Sequence, residues 1–484
     1  MKDMKEGRII LKGTLKNLSP IGIGSGRDNH SDRDVVTTTY PMESPTKIQS
    51  LWPIRKESFM TELPFIPATS FMGKVGSLFK NNAQVETYWG TSHENATCID
   101  CSDLMLVKLP GYIKNDCCNL TEIRDGIRLN SEKGTVAEGA KFDYEVIGPG
   151  AEFEITMIFR VENNYETALN IASCITTLIR NGLELGSKST IGYGKINGNA
   201  RLFELDFSNP LHFKQWIDAD FTKNEIEPVQ PTLLADKPEQ FEINASFRIK
   251  NSLIIRSYSA NPESPDSVHL KSGGKNILSG SSIKGALRGR AERIYNTIQP
   301  DRKVTETLLA SLFGDMEKET INKQKVKPDG YTVPSRVLVD EIPVENITEQ
   351  VQTRIQVDRF IGGTVDGALL EEVPLFPEKD KEQVKNFHIR VEDPQPEDKG
   401  LMLLLLKDLW TSDLTIGGEK TIGRGVLEGV FATVTDGDAE YSFRGIFNDP
   451  EKLKSLQKYV DALNNSVNIK FHQDRIARFK KSKK

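Results

Sequence analysis

Two glycine loops carry the residue types best suited to holding a phosphate. Leu185-Gly-Ser-Lys-Ser-Thr-Ile-Gly-Tyr-Gly194 and Ile416-Gly-Gly-Glu-Lys-Thr-Ile-Gly-Arg-Gly425 each set a lysine, Lys188 or Lys420, before a G-x-G, Gly192 with Gly194 and Gly423 with Gly425. Glycine admits positive φ and close backbone approach. Successive amides in such a turn, with a cation beside them, attract anions. A second pair lies upstream, Pro67-Ala-Thr-Ser-Phe-Met-Gly73 and Ser279-Gly-Ser-Ser-Ile-Lys-Gly285, and reads as two helix starts. Thr69/Ser70 and Ser281/Ser282 stand where a hydroxyl caps free amides. Helix N-termini attract anions, and Lys74 in one helix, Lys284 with Arg288 in the other, add charge in the first turns. One G-x-G alone is as well explained by a tight turn before a strand. Its recurrence beside a lysine favours phosphate.

The cysteines suggest a different chemistry. Cys98-Ile-Asp-Cys101 is followed by Cys117-Cys118, with His93 just upstream. A C-x-x-C pair on one turn offers two thiolates, and a third cysteine with His93 completes a tetrahedral zinc set. Reduced, metal-free thiols are the alternative. Cys174 falls inside a predicted helix.

Both loop motifs occur twice in the same order, and other landmarks keep step. Tyr88-Trp89-Gly90 answers to Leu312-Phe313-Gly314, and Gly134-Thr-Val136 to Gly363-Thr-Val365. Ordered coincidences of this kind mark an internal duplication. Each half opens on an alternating strand, over 8–15 or 241–249, as a half-buried strand does. The capped helix follows, and strands return around 152–160 and 386–391. A second helix is predicted near 165–180 or 399–409, and the glycine loop feeds a last strand over 195–205 or 426–434. The order βαββαβ predicts an α+β fold of two ferredoxin-like (RRM-like) domains in tandem. The first is expected at 1–205, with a Cys-rich insertion at about 90–120, and the second at 241–435. Residues 206–240, with four prolines, read as a linker with one short helix. Residues 436–484 read as a helical extension, 449–464, and a basic tail that should be solvated.

At 484 residues the chain is long enough for two cores. Its net charge of −5 argues against a general polyanion binder, yet cations gather locally at Lys284, Arg288, Arg290 and Arg293, and in the tail from Arg475. No apolar run approaches the roughly 18 to 20 residues of a membrane span. The charged start does not read as a signal peptide, and clustered cysteines suit a reducing compartment. These features predict a cytoplasmic protein that does not engage a membrane.

The order of these motifs resembles the RAMP superfamily, and more closely the backbone subunits of type III CRISPR effectors. Ser19-Pro-Ile-Gly-Ile-Gly-Ser-Gly26 and Phe65-Ile-Pro-Ala-Thr-Ser-Phe-Met-Gly73 carry the likeness early in the chain. Ile277-Leu-Ser-Gly-Ser-Ser-Ile-Lys-Gly-Ala-Leu-Arg288 is very similar to the family's Pro-Gly-Ser-Ser-x-Lys-Gly-x-x-Arg helix start. Thr353-Arg-Ile-Gln-Val-Asp-Arg-Phe-Ile-Gly-Gly-Thr-Val-Asp-Gly-Ala368 resembles the segment that forms the family's projecting β-hairpin thumb. Two fused copies look like the tandem backbone subunit of type III-D systems. The resemblance implies a filament of such modules along a CRISPR RNA, with RNA held at the loop and helix-start residues above. It implies thumbs near 124–143 and 353–370 that wedge into a guide–target duplex, with Val136, Phe360 and Val365 as candidate wedges. The implied partners are CRISPR RNA, target RNA, other RAMP subunits and a large polymerase/nuclease-like subunit.

In catalytic members of the family an aspartate after the first strand, within Asp-x-Pro-Val, supports cleavage of target RNA with a divalent cation, magnesium or manganese. The nearest match in the first half is Ser31-Asp32-Arg33-Asp34-Val35-Val36. Asp32 aligns if Val35 takes the valine's place, Asp34 if the proline is simply absent, and the sequence does not choose. In the second half Pro265-Asp266-Ser267-Val268 offers Asp266, with His30 and His269 close to these acids. Both halves lack the proline, which leaves an inactive site open. Some relatives bind structural zinc in the same insertion, which here would draw on His93, Cys98, Cys101, Cys117 and Cys118. The implied function is an endoribonuclease subunit that binds CRISPR RNA and cuts target RNA. The alternatives are a non-catalytic filament subunit and a CRISPR RNA-processing nuclease of the same superfamily.

Overall fold

Alternation sets each sheet. Along Glu152–Glu162, the side chains of Phe153, Ile155, Met157, Phe159 and Val161 are fully buried and their neighbours are not. That is the period of a strand laid on a core, and each such Phe or Ile contributes about 1.5–3 kcal/mol on burial. The computed structural model describes residues 4–26, 34–39, 62–80, 82–90, 96–113, 120–129, 136–258, 265–299, 301–316, 332–445, 450–465 and 467–481. The chain forms two units, Met1–Ser189 with Tyr193–Lys237, and Thr190–Gly192 with Pro238–Lys484.

The principal strands of the first unit are β1 (Glu6–Asn17), β2 (Ile99–Cys101), β3 (Met105–Lys108), β4 (Thr121–Leu129), β5 (Val136–Ile147), β6 (Glu152–Glu162) and β7 (Lys195–Asp206). Its helices include α1 (Ala68–Gly76), α2 (Tyr165–Asn181) and α3 (Pro210–Ile217). β1 lies between β7 and β6, β2 and β3 pair with β6, and every pairing is antiparallel. Helix α2 buries Ala168, Ile171, Ala172, Ile175 and Ile179 in the same core as the inward residues of β6. β4 and β5 form a separate two-stranded hairpin.

The second unit repeats the plan. Its principal elements are β8 (Gln240–Ile249), β9 (Arg256–Ser257), β10 (Ser267–His269), α4 (Gly280–Ile298), α5 (Arg302–Phe313), β11 (Val337–Val339), β12 (Gln352–Val357), β13 (Thr364–Val373), β14 (Val384–Glu392), α6 (Pro396–Trp410), β15 (Leu427–Asp436), β16 (Ala439–Arg444), α7 (Pro450–Asn465) and α8 (Ile469–Lys481). The sheet order is β11-β14-β8-β15-β16, so the opening strand again lies between the returning and closing strands. β12 and β13 form its hairpin, which pairs through β13 with β10.

Three features depart from the sequence reading. β1 is buried on both faces: Ile9 and Leu11 join the main core, while Ile10 packs with Phe203 and Leu205 on the other side. The stretch read as a linker covers that second face, because Phe207, Trp216 and Phe221 pack on it and Arg8 lies over the Phe207 and Trp216 rings. The basic tail is also not simply solvated. Helix α8 docks through a fully buried His472, whose Nδ1 lies 2.9 Å from Ser311 Oγ and Nε2 3.2 Å from Glu397. Arg475 donates to the carbonyls of Ser311 and Pro334. Among the described residues, no helix is long and apolar enough to cross a membrane.

Candidate nucleic-acid interface

The same backbone bonds close both halves. Ile21 and Ile147 exchange amide–carbonyl bonds of 3.0 and 2.8 Å, as Leu253 and Leu375 do at 2.9 and 2.8 Å. Gly194 donates to Pro20 at 2.7 Å and Gly425 to Ser252 at 2.8 Å, while Ser187 donates to Gly22 and Gly418 to Ile254, both at 2.8 Å. Val36 donates to Ile23 at 3.0 Å and Leu270 to Ile255 at 2.8 Å. These bonds match the halves residue by residue where the hairpin, the glycine loop and the exit of the first strand meet.

The match separates the two candidate acids. Val36 takes the place of Leu270, so counting back along each chain sets Asp34 against Val268 and Asp32 against Asp266. Asp34 is buried, its carbonyl accepting from the Ser25 amide at 2.9 Å and hydroxyl at 3.2 Å. Asp32 and His30 lie outside the described residues. Asp266 is exposed, and its Oδ2 accepts the Glu371 amide of the hairpin at 2.8 Å. His269 sits beside it in sequence but is buried. Its Nδ1 accepts the Ile255 amide at 3.2 Å and its Nε2 lies 2.9 Å from the Ile277 carbonyl, while burial lowers its pKa to about 4. A neutral imidazole with both nitrogens engaged cannot serve the aspartate, which removes His269 as an assistant.

The glycines of the loops do different jobs. A Cβ on Gly194 would lie 2.0 Å from the Leu185 carbonyl oxygen, and on Gly425 1.9 Å from that of Ile416, with φ of +80° and +73°. These two close a tight turn. Gly192 also has positive φ, +89°, and Gly423 has +82°, but a Cβ on Gly423 would meet only the Asn251 side chain, at 3.3 Å. Gly425→Ala should therefore destabilise the protein by about 3 kcal/mol, and Gly423→Ala by about 1 kcal/mol. Urea midpoints compare them, and equal shifts would refute the distinction. The lysines also differ in place. Lys188 (φ +64°) matches Glu419 (φ +55°), so Lys420 matches Ser189. The Lys188 ammonium lies 3.8 Å from the Tyr144 ring centroid and 5.1 Å from that of Phe142, turned toward the hairpin root.

At the helix starts the caps lie earlier than the sequence suggested. Pro67 precedes α1 with no side-chain cap, and Asp103 accepts the Ala68 amide at 2.8 Å. Thr69 and Ser70 thus fall inside the first turn, with Lys74 in the last. Ser279, not Ser281 or Ser282, caps α4 by accepting the Ser282 amide at 3.3 Å. A Cβ added to Gly73 or Gly285 would meet nothing within 4 Å. Glycine costs a helix about 1 kcal/mol, and no neighbour in this chain requires it at either position. Cations crowd the second half. Burial, then the Arg288 charge, lowers Lys284 to about 7, and burial, then Arg293, lowers Lys420. Among the described residues no carboxylate pairs with either lysine.

Both hairpins present apolar side chains to solvent. Phe360 and Ile361 are 98% and 80% exposed at the second tip, with Ile355, Val357, Val365 and Leu369 also exposed along its strands. The first exposes Ile123 and Ile127, while the side chain of Val136 lies outside the described residues. The root of the second hairpin is ionic. Glu372, fully buried, takes Arg256 at 2.6 Å and Arg424 at 3.5 Å, and Ser267 donates to it at 3.3 Å. Glu419 takes Arg354 at 2.5 Å, Arg424 at 2.7 Å and Arg256 at 3.1 Å. Burial works to raise the Glu372 carboxyl, but the guanidiniums of Arg256 and Arg354 hold it below the usual range.

The metal expectations meet a plain geometry. Among the described residues no three His, Cys, Asp or Glu side chains gather to hold a metal ion. Asp266 by itself suits magnesium, which commonly takes one or two carboxylates and fills its shell with water and phosphate. Cys98 and Cys101 do not share a turn, because Ile99–Cys101 is an extended strand and both thiols pack against the core. Burial, then Asp103, pushes the Cys101 thiol up to about 12. This pair alone does not make a zinc site, and His93, Cys117 and Cys118 lie outside the described residues.

Compared with known proteins, the chain matches no curated protein. It does match the family model of the RAMP superfamily, once over residues 14–197 and again over 246–428. The two matches include the hairpin and glycine loop of each half and cover most of the chain. With both copies on one polypeptide, this chain belongs to the RAMP superfamily as a tandem two-repeat member.

Proposed function

We propose that the protein is a backbone subunit of a type III CRISPR ribonucleoprotein, of the type III-D kind, that binds CRISPR RNA and cuts complementary target RNA. Each sheet, with its opening strand between the closing and returning strands, is read as a ferredoxin-like module. The partners are the two RNAs, further RAMP subunits and a large polymerase/nuclease-like subunit. One observation carries the reading. Lys284, whose ammonium donates to the Thr190 carbonyl at 3.4 Å, feels the Arg288 charge, Lys420 feels that of Arg293, and among the described residues neither lysine has a carboxylate partner, around a helix start whose glycine faces open space. Cations that repel one another in this way favour an anion beside them, and a ribose-phosphate strand supplies one per nucleotide.

The hairpins supply the second half of the function. Their exposed apolar side chains, Phe360 above all, suit insertion between bases, and unstacking a nucleotide can bring its 2′-hydroxyl in line with the adjacent phosphorus. Attack forms the O2′–P bond and breaks the P–O5′ bond, leaving a 2′,3′-cyclic phosphate and a 5′-hydroxyl. The Asp266 carboxylate accepts the 2′-hydroxyl proton, water protonates the departing O5′, and Asp32 takes the same part in the first half. A divalent cation held by these acids together with RNA phosphates would offset charge at the phosphorus.

Expression of the full chain with its genomic neighbours tests the binding claim. A discrete short RNA should copurify, and Lys420→Glu with Arg293→Glu should lower its recovery at least about tenfold, since phosphate contacts dominate such affinity. An assembled complex free of RNA would overturn the reading.

A further inference from the structure

The five charged residues at the root of the second hairpin are not repeated at the matching positions of the first. Matching the halves through their shared bonds sets Glu372 against Tyr144, Glu419 against Lys188, Arg424 against Tyr193 and Arg256 against Gly24. Arg354 pairs with Leu370 as Gly126 pairs with Phe142, so Arg354 answers to Gly126. Every member of the charged set changes together. The first half builds the same hairpin with Lys188 stacked on Tyr144 and the Tyr144 and Tyr193 hydroxyls 3.2 Å apart. The first hairpin carries one arginine–glutamate pair of its own, Arg124 with Glu122 at 2.7 Å, but that arginine is 3% exposed and offers no guanidinium to solvent, whereas the root of the second holds two that are partly exposed.

Its charges are layered. The carboxylates face inward, Glu372 fully buried and Glu419 11% exposed, whereas Arg256 and Arg354 are 38% and 31% exposed. Three guanidiniums face two carboxylates, so the outward side of the cluster is cationic. Arg256 reaches both carboxylates through Nη2 alone, and a guanidinium carries five N–H donors in a planar fork that fits phosphate oxygens. The glutamates hold the forks in place before any ligand arrives, which reduces the ordering cost of binding. The cluster also adjoins the candidate acid. The Glu371 amide bonds to Asp266, and the next residue, Glu372, carries Arg256.

We propose that Arg256 and Arg354 form a phosphate subsite for an RNA backbone beside Asp266, present in the second half and absent from the first. The inference rests on the RNA-binding reading above and adds to it a defined pair of cations and an asymmetry between the halves. Arg424, almost fully buried between the two carboxylates, positions the pair.

Fluorescence anisotropy of a labelled single-stranded RNA with the full chain, across a salt series, provides the test. Each phosphate contact adds about 0.7 to the slope of log affinity against log salt for single strands, so Arg256→Gln with Arg354→Gln should flatten the slope by about 1.4. Replacing both by lysine should leave the slope as it was. Neutralising Lys381 and Lys385, exposed lysines paired with Glu378 and Glu345, should also leave it unchanged. If the double variant fails to fold, Arg256→Gln alone leaves Arg354 and Arg424 on the carboxylates and should flatten the slope by about 0.7. An unchanged slope in a folded variant, or an equal loss in the Lys381/Lys385 variant, overturns the subsite and leaves RNA binding standing. A wild-type chain that binds no RNA overturns both.

Discussion

Alanine at Asp32 and Asp266 together should lower target-RNA cleavage by the assembled complex at least about 100-fold, the usual contribution of a positioned proton acceptor, while the copurified RNA stays at its wild-type level. The geometry at Asp266 gives the reason. Oδ2 is fixed by the Glu371 amide of the hairpin at 2.8 Å, and Oδ1 has no partner among the described residues. One oxygen orients the carboxylate and the other can take a hydroxyl proton. Either single variant should remove the cuts belonging to its own half and spare the rest. Asp34→Ala is a contrast, because that side chain is buried and its loss should lower stability and leave the cleavage pattern intact. Product mapping on a labelled target reads all these outcomes. Unchanged cutting at every position with both acids gone would make the protein a non-catalytic filament subunit. Cleavage of precursor RNA by the isolated chain would instead favour a processing nuclease.

The second large effect concerns stability. Arg336 is 2% exposed, and its Nη1 bonds Asp398 Oδ2 at 2.7 Å and the Asp393 carbonyl at 2.8 Å. Its Nε donates to the Ser311 carbonyl at 3.2 Å, and its guanidinium lies over the Phe471 ring. Arg336→Ala leaves Asp398, fully buried, with the Gln395 amide on Oδ2 but no cation beside it among the described residues. Breaking one side of a buried pair costs about 3–5 kcal/mol, a large share of the 5–15 kcal/mol that typically holds a domain together. The melting temperature should fall by roughly 10 °C, and α8, which meets the same cluster through His472 and Phe471, should become the first site of proteolysis. Replacing Arg336 and Asp398 together by methionine and leucine should recover much of the loss, since apolar residues can substitute for a buried ion pair. A melt within about 2 °C of wild type for Arg336→Ala would show that the pair does not anchor the fold.

The motifs legible in the sequence were those whose physics is local. Alternation over 8–15 and 241–249 marks the opening strands β1 and β8, and the glycines at 194 and 425 mark turns that the structure closes with their own φ and carbonyl contacts. The duplication was legible for the same reason: a loop that needs glycine at a given backbone position needs it in both copies. Features made by distant residues were not legible. The choice between Asp32 and Asp34 turns on the pairing of Val36 with Ile23, and neither residue type nor spacing reveals that register. His269 reads as a possible helper in sequence and becomes a buried neutral ring only when the Ile255 and Ile277 backbones close around it.

Taken alone, the sequence determined two copies of an α+β module, the places of their glycine loops and helix starts, and the acids worth testing, because backbone conformation and side-chain periodicity act over a few residues. The tertiary structure alone decided that 207–221 seals the far side of a sheet, that the basic tail is pinned by a buried histidine, and that the second hairpin stands on arginine–glutamate pairs. Arg256 meets Glu372 across 116 residues and Glu419 across 163. Charges that far apart along the chain are brought together by folding, and nothing in the local sequence announces them.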